Sequence, residues 1–345
     1  MKRFPHINRL FFQGYKRSEM HLYDNVNILS SFGGSTMKEI MKMKWAIGIV
    51  SILCVALLVS PVCLAGPYAY NVQKNNNNKL KTSQSQHWAL LFAVGVYLNA
   101  PDKDRPEMLE ACDNLYNTLI GSPDYWQPAN IHTVKGSQAT LQNLIRELRW
   151  LKQNAKSDDY VLVYITTHGW QLKNSQGLPI DLPPKDEADG ADEILVMYNG
   201  FAQWYGFIWD DLLNFLLSRI QCKGLCLIVD SCYSGGFNDP PFTSLPRNQF
   251  TAASFTKGFM EDVAAQGRVT LMSTQENGLS YGSYFSDYLT SGFGGWADFW
   301  GNRDGINSAE EAFAFAGPLT EWATGGDEVP TISDLYPGEF PVTTS

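Results

Sequence analysis

The sequence predicts an α/β fold whose central sheet is mainly parallel and covered by helices on both faces. Two observations lead there. Continuous apolar runs of strand length recur between residues 88 and 273, and stretches with helical spacing of apolar residues separate them. At 345 residues the chain is long enough to bury an enzyme-sized core.

Taken in order, the first 40 residues form an extension with no convincing periodicity. Residues 41–65 read as an export signal: a basic start, an apolar run from Trp45 to Leu64, and small residues Cys63 and Ala65 where a signal peptidase would cut. The run is also long enough to span a bilayer as an uncleaved signal anchor, so the chain is expected to be exported, secreted or anchored facing outside the cytoplasm. Residues 66–86 form a polar linker containing NNNN.

The folded body is expected over 87–320, with 321–345 as a tail. WALLFAVGVY (88–97) is a strand, and EMLEACDNLYNTLI (107–120) follows with Leu109, Cys112, Leu115, Tyr116 and Leu119 on one helical face. NIHTV (130–134) is a short strand, and Thr140 caps a helix carrying Leu141, Leu144, Leu148 and Leu151. YVLVYI (160–165), EILVMY (193–198), LCLIV (225–229) and RVTLMS (268–273) are further strands. Helices are expected over 208–220 and around 284–289, and a loop between Asp239 and Gln266.

The net charge of -9 and the lack of a dense Lys/Arg run in the body argue against nucleic-acid binding. The basic residues are concentrated early, eight Lys or Arg against three acids over residues 1–44. Outside the export segment four cysteines remain, Cys112, Cys222, Cys226 and Cys232, too few for a disulfide framework in a domain of this size. Cys222 and Cys226 lack companion zinc ligands, and Cys226 reads as a core residue.

Two strands run straight into reactive residues. YVLVYI leads to Thr166-Thr167-His168-Gly169, and LCLIV leads to Asp230-Ser231-Cys232-Tyr233 followed by Ser234-Gly235-Gly236. In parallel α/β sheets chemistry gathers at the carboxyl ends of strands, so neighbouring strands would bring an imidazole and a thiol to one rim. A thiol near its free pKa of about 8.5 needs such a base, which also protonates a leaving amine. The N–H groups of Gly169 and Cys232 are expected as an oxyanion hole, and Gly235 and Gly236 as turn formers.

Through VLVYITTHG and CLIVDSCYSGG, supported by AVGVYLNA, DGADEILVMYNG and RVTLMSTQENGLSYGSYFSDYL, the chain resembles the caspase-like cysteine peptidases of the C14 group, and within them the metacaspases and their prokaryotic relatives. The resemblance spans residues 88–315. It implies a caspase-like three-layer α/β/α sandwich and a cysteine endopeptidase with a Cys232–His168 dyad. Where the family commonly has Ser-Gly-His-Gly this chain has Thr-Thr-His-Gly, which leans toward legumain-like relatives.

The same resemblance implies an acidic primary pocket formed by Asp113 and Asp230, selecting Arg or Lys before the cut bond. It also implies activation by calcium through Asp210, Asp211 and Asp239, with Asn199 where an Asp is common. No redox or organic cofactor is implied. The expected partner is a peptide or protein substrate, met by a monomer, with membrane contact only through the signal anchor.

Arg247, Lys257 and Arg268 are candidate sites of self-cleavage. Asp304-Gly305 and Glu311 echo the end of a calcium loop, but Asn307 or Ser308 ahead of two glutamates reads better as a helix cap. Two rival functions remain, a legumain-like peptidase cutting after Asn or Asp and a non-catalytic scaffold of the same fold.

Overall fold

The computed structural model describes residues 85–172, 178–182, 185, 190, 192–203, 205–233, 252–275 and 283–345. The extension, the expected export segment with its apolar run 45–64, and the linker up to residue 84 lie outside the described residues. So do Gly235, Gly236, Asp239 and Arg247, and for Cys232 only the backbone is described. Among the described residues no helix is long and apolar enough to cross a membrane.

Strand β1 (His87–Ala93) is buried along almost its whole length because it runs between two neighbours, β2 (Ile131–Lys135) and β3 (Tyr160–Gln171), both parallel to it. β3 continues the parallel ladder to β6 (Gly224–Tyr233), and β6 to β7 (Arg268–Gln275). The order is β2-β1-β3-β6-β7-β9, with β9 (Thr331–Asp334) closing one edge antiparallel to β7. A strand buried on both faces has no reason to alternate polar and apolar residues, which is why these runs are continuous in the sequence.

Helices α1 (Glu107–Ile120), α5 (Tyr284–Ser291) and α7 (Ala309–Ala323) cover one face; α2 (Leu141–Asn154), α3 (Asp210–Leu217) and α4 (Ala252–Val263) cover the other. α1 buries Met108, Ala111, Cys112, Leu115 and Leu119, each large apolar side chain contributing about 1.5–3 kcal/mol by leaving water. α2 starts where expected, with Thr140 Oγ1 accepting the Asn143 amide at 3.3 Å. The three-layer α/β/α sandwich predicted from the sequence is thus the observed architecture.

Several elements differ from expectation. β3 does not stop at Ile165 but carries Thr166, Thr167 and His168 inside the ladder, since β6 flanks it through Gly169. β4 (Glu193–Val196) pairs antiparallel with the end of β3, and β5 (Phe207–Trp209) pairs with β4, making a ledge beyond the reach of β1. α4 lies within the stretch expected as loop, burying Phe255, Phe259 and Val263 at helical spacing. Residues 321–345, expected as a tail, supply β9 and β10 (Pro341–Thr344), the latter paired with β8 (Ile306–Ser308).

Glu311 is engaged as a helix-capping residue. Ser308 and Glu311 form a reciprocal capping box at the start of α7, and Glu311 Oε1 also accepts the Asn302 amide at 2.8 Å. Asp304 Oδ1 accepts the Ile306 amide at 2.9 Å. The capping expectation therefore holds for Ser308, while Asn307 instead accepts the Asp298 amide at 3.0 Å.

Candidate active site

The β3–β6 ladder sets His168 directly opposite Cys232, with Thr166 opposite Asp230 and Gly169 opposite Tyr233. Neighbouring strands lie about 4.8 Å apart, so the two residues singled out in the sequence are cross-strand neighbours at the carboxyl end of the sheet's two central strands. Each position is fixed by the ladder.

The His168 side chain is almost fully buried and held on several sides. Its Nε2 lies 2.7 Å from the Lys103 carbonyl oxygen. A carbonyl only accepts, so Nε2 carries the hydrogen and, in the neutral ring, Nδ1 is the basic nitrogen. The Tyr97 ring stacks on the imidazole at 4.9 Å between centroids, and Phe201 meets both rings edge-on. The His168 amide donates to the Tyr97 hydroxyl at 2.9 Å.

Thr167 gives the unusual Thr-Thr-His-Gly run a physical purpose. Its hydroxyl donates to the Val196 carbonyl in β4, while the Tyr97 hydroxyl lies 3.0 Å from Thr167 Oγ1. One chain of hydrogen bonds thus links the loop after β1, the His168 backbone and β4. A glycine at that position could not make it. Gly169 has a packing role as well: a Cβ there would stand 2.5 Å from Phe255 Cζ of α4.

Every cysteine side chain described is unsuited to act as a nucleophile. Burial pushes the thiol of Cys112 up to about 12 and that of Cys222 up to about 11, and raises Cys226 well above its ordinary value. All three are protonated at neutral pH.

The two aspartates expected to share a substrate pocket are not brought together. Asp113 is exposed on α1 and pairs with Lys135 of β2 at 2.5 Å. Asp230 is buried beside α5, where its carboxylate accepts the Ser286 hydroxyl and, at 3.3 Å, the Ser286 amide. Its pKa is pushed up to about 7, by burial first and by Glu328 second. Asp113 thus stands on the side of α1 that meets β2.

Of the expected calcium ligands, Asp210 and Asp211 do meet. Their carboxylates cluster with that of Asp192, which the sequence reading passed over, and Glu193 and Asp262 form an overlapping group with Asp210. Asp192 and Asp210 are fully buried. Burial, then the charges of Glu193, Asp262 and Asp192, push Asp210 up to about 10; burial first, opposed by the Leu182 amide, leaves Asp192 at about 6. One oxygen of Asp192, Oδ1, has no hydrogen-bond partner among the described residues. Asn199 instead bonds Gln203 within its own loop at 2.7 Å. The available signal for Asp192 was its place in DGADEILV, immediately before β4.

Comparisons with known proteins bear on the family and the fold. Residues 109–241 match the family model described as metacaspase, peptidase C14 domain. The chain is 30% identical over 199 residues to Metacaspase-1 of Schizosaccharomyces pombe, a match covering 52% of this chain and 43% of that protein. It is 31% identical over 148 residues to Metacaspase-1B of Neurospora crassa, covering 42% and 31% respectively. The chain thus aligns with less than half the length of these curated relatives. Among solved structures, that titled pro-sf-caspase-1 aligns with a TM-score of 0.50 at 11% identity, covering 81% of this chain and 99% of that one, a likeness of fold.

Proposed function

We propose that this chain, which carries a caspase-like peptidase C14 domain, is a cysteine endopeptidase with Cys232 as nucleophile and His168 as general base and acid. The Cys232 thiol yields its proton to His168 Nδ1, and the thiolate attacks the scissile carbonyl carbon. The N–H groups of Gly169 and Cys232 stabilise the resulting oxyanion. The carbon–nitrogen bond then breaks as the imidazolium protonates the departing amine, and water, activated by the same imidazole, hydrolyses the thioester. The observation that carries this reading is the cross-strand pairing of His168 with Cys232, joined to a ring held so that Nδ1 is its basic atom.

The substrate class we assign is a peptide or protein with Arg or Lys before the cut bond. Calcium is the proposed activator, and the donor set fits it: Asp192, Asp210 and Asp211 are hard oxygen ligands drawn together in a buried place where their charges repel. Bound there, the cation would neutralise that repulsion beside β4, the strand that flanks the end of β3. Of the three candidate self-cleavage sites, Lys257 lies within α4 and Arg268 is buried at the start of β7. Arg247 is therefore the site we assign. We also assign the protein to an exported location on the strength of residues 41–65.

The test is hydrolysis of fluorogenic peptides differing only in the residue before the cut, with and without calcium. Cys232→Ala is expected to lower turnover by about 10³-fold or more, as loss of a nucleophile does elsewhere, without loss of fold by circular dichroism. Undiminished hydrolysis by that variant overturns the assignment. Preference for Asn or Asp substrates would favour the legumain-like rival, and no hydrolysis by the native chain the scaffold.

A further inference from the structure

At the amino ends of β1 and β3 lies a cavity of about 360 Å³, far from the rim that carries His168. His87 pairs with Tyr160 at the first step of the β1–β3 ladder. Tyr160 stands eight residues before His168 on β3, a separation of about 26 Å at about 3.3 Å per residue. His87, Tyr125, Tyr160 and Pro341 line the cavity, while Asp304 and Glu339 stand exposed at its mouth, in the loops that lead into β8 and β10. The volume is that of a small-ligand site.

His87 is the residue that asks for a ligand. Only 3% of its surface is exposed, and neither ring nitrogen has a hydrogen-bond partner among the described residues. The ring stacks on Tyr125 and on Tyr160, at 4.6 and 4.8 Å between centroids, with Trp126 edge-on at 5.1 Å. Stacking accounts for the flat ring but not for its nitrogens, since a phenyl ring would stack as well. A buried donor or acceptor left unmade costs about 1–3 kcal/mol, so such a group in a native core calls for a partner. Burial holds the His87 pKa down at about 4, although the Pro341 carbonyl, close by but outside hydrogen-bonding geometry, pulls the other way. At neutral pH one ring nitrogen is therefore a buried acceptor.

The mouth sets the charge of what enters. Among the described residues lining the cavity Asp304 and Glu339 are acidic and none is Lys or Arg. Asp304 Oδ1 accepts the Ile306 amide and Glu339 Oε2 accepts from the Asn302 side chain at 3.1 Å, but neither carboxylate has an ion-pair partner among the described residues. Lys223 is engaged with the Tyr160 hydroxyl at 2.6 Å. A ligand that suits these walls donates an N–H to His87, carries positive charge past two carboxylates and lies flat against aromatic rings. A guanidinium has all three properties: a fixed fork of donors, a permanent charge and a planar face that stacks.

We propose that this cavity is an exosite for a guanidinium group, with His87 as the buried acceptor and Asp304 and Glu339 as its counter-charges. The inference goes beyond the endopeptidase reading and stands without it, because none of these residues belongs to the dyad or its rim. The group could arrive on an arginine side chain or as a free small molecule, and the two probes below separate these sources.

Agmatine and the capped peptide Gly-Arg-Gly are titrated calorimetrically into the Cys232→Ala full chain, chosen so that no probe is consumed. Binding of both assigns the site to an arginine side chain, and binding of agmatine alone to a small molecule. His87→Phe keeps the stack and removes both nitrogens. It is expected to melt no lower than its parent, since two unsatisfied atoms are gone, and to bind about tenfold to a hundredfold more weakly, the scale of a hydrogen bond from a charged donor. Lost binding in a protein of undiminished stability separates the ligand's loss from unfolding. Glu339→Gln, which is exposed and can keep the Asn302 bond, is expected to weaken binding by about twofold to fivefold, and it serves as the test should His87→Phe fail to fold. An affinity unchanged in His87→Phe, or in Glu339→Gln where the former does not fold, overturns the proposal. So does the absence of binding by either probe, which would leave water as the partner of the ring.

Discussion

Tyr97 is the residue on which most of the His168 environment converges. Its ring stacks on the imidazole, and its hydroxyl accepts the His168 amide while contacting Thr167. Tyr97→Phe keeps the stack and removes the hydroxyl, leaving a buried N–H unsatisfied at a cost of about 1–3 kcal/mol. The expected result is a fall in melting temperature with a fall in kcat and little change in KM, measured on the same protein. A second prediction at this scale concerns Asp230. Its folded pKa of about 7 exceeds the unfolded carboxylate value, so the folded state binds more protons between roughly pH 4 and 7, and stability falls as pH rises through that window. In Asp230→Asn that part of the slope is expected to vanish; parallel melting-temperature curves for the two proteins from pH 4 to 8 would contradict it.

The packing of α4 on the end of β3 illustrates how much of this site could be read from the sequence. Gly169→Ala drives a Cβ into the Phe255 ring, and the expected cost is about 1–3 kcal/mol by overpacking, with partial recovery in Gly169→Ala/Phe255→Leu, checked by thermal unfolding. The sequence suggested an oxyanion-hole N–H for Gly169, and the structure adds a packing reason for its lack of a side chain. His168 and Cys232 were legible because each is tied to the end of a continuous apolar strand, where local pattern and position coincide. α4 was not legible as a helix: Gly258 interrupts it, and that glycine is needed because a side chain there would collide with Glu193 of β4, a contact absent from local sequence. The pairing of Asp113 with Lys135 was not legible for a similar reason, since which side of α1 faces β2 is decided by packing. β9 and β10 are short strands whose partners lie far away in the chain, and neither periodicity nor length announced them.

For the molecule as a whole, the buried acids near the ledge of β4 and β5 are the main electrostatic burden. Asp192 and Asp210 must lose protons to bind a divalent cation, and a ligand that binds only the folded state stabilises it by about 2.7 kcal/mol at a hundredfold excess over its dissociation constant. The melting temperature is therefore expected to rise in millimolar calcium, to fall back on adding EGTA, and to respond little in Asp192→Asn/Asp210→Asn; a calcium-indifferent native protein would rule the site out.

The β6–β7 ladder, running from Leu225 opposite Arg268 to Cys232 opposite Gln275, has a consequence for the cleavage proposed at Arg247. Both reactive residues precede Arg247 in the chain, whereas β7, α5 and β9 follow it. A break there leaves two fragments zipped together by a central pair of strands, so the nicked product should elute as an intact particle in gel filtration and separate into two bands only after denaturation. Scission there would leave the cross-strand pairing of His168 with Cys232 on one fragment, as in the uncut chain.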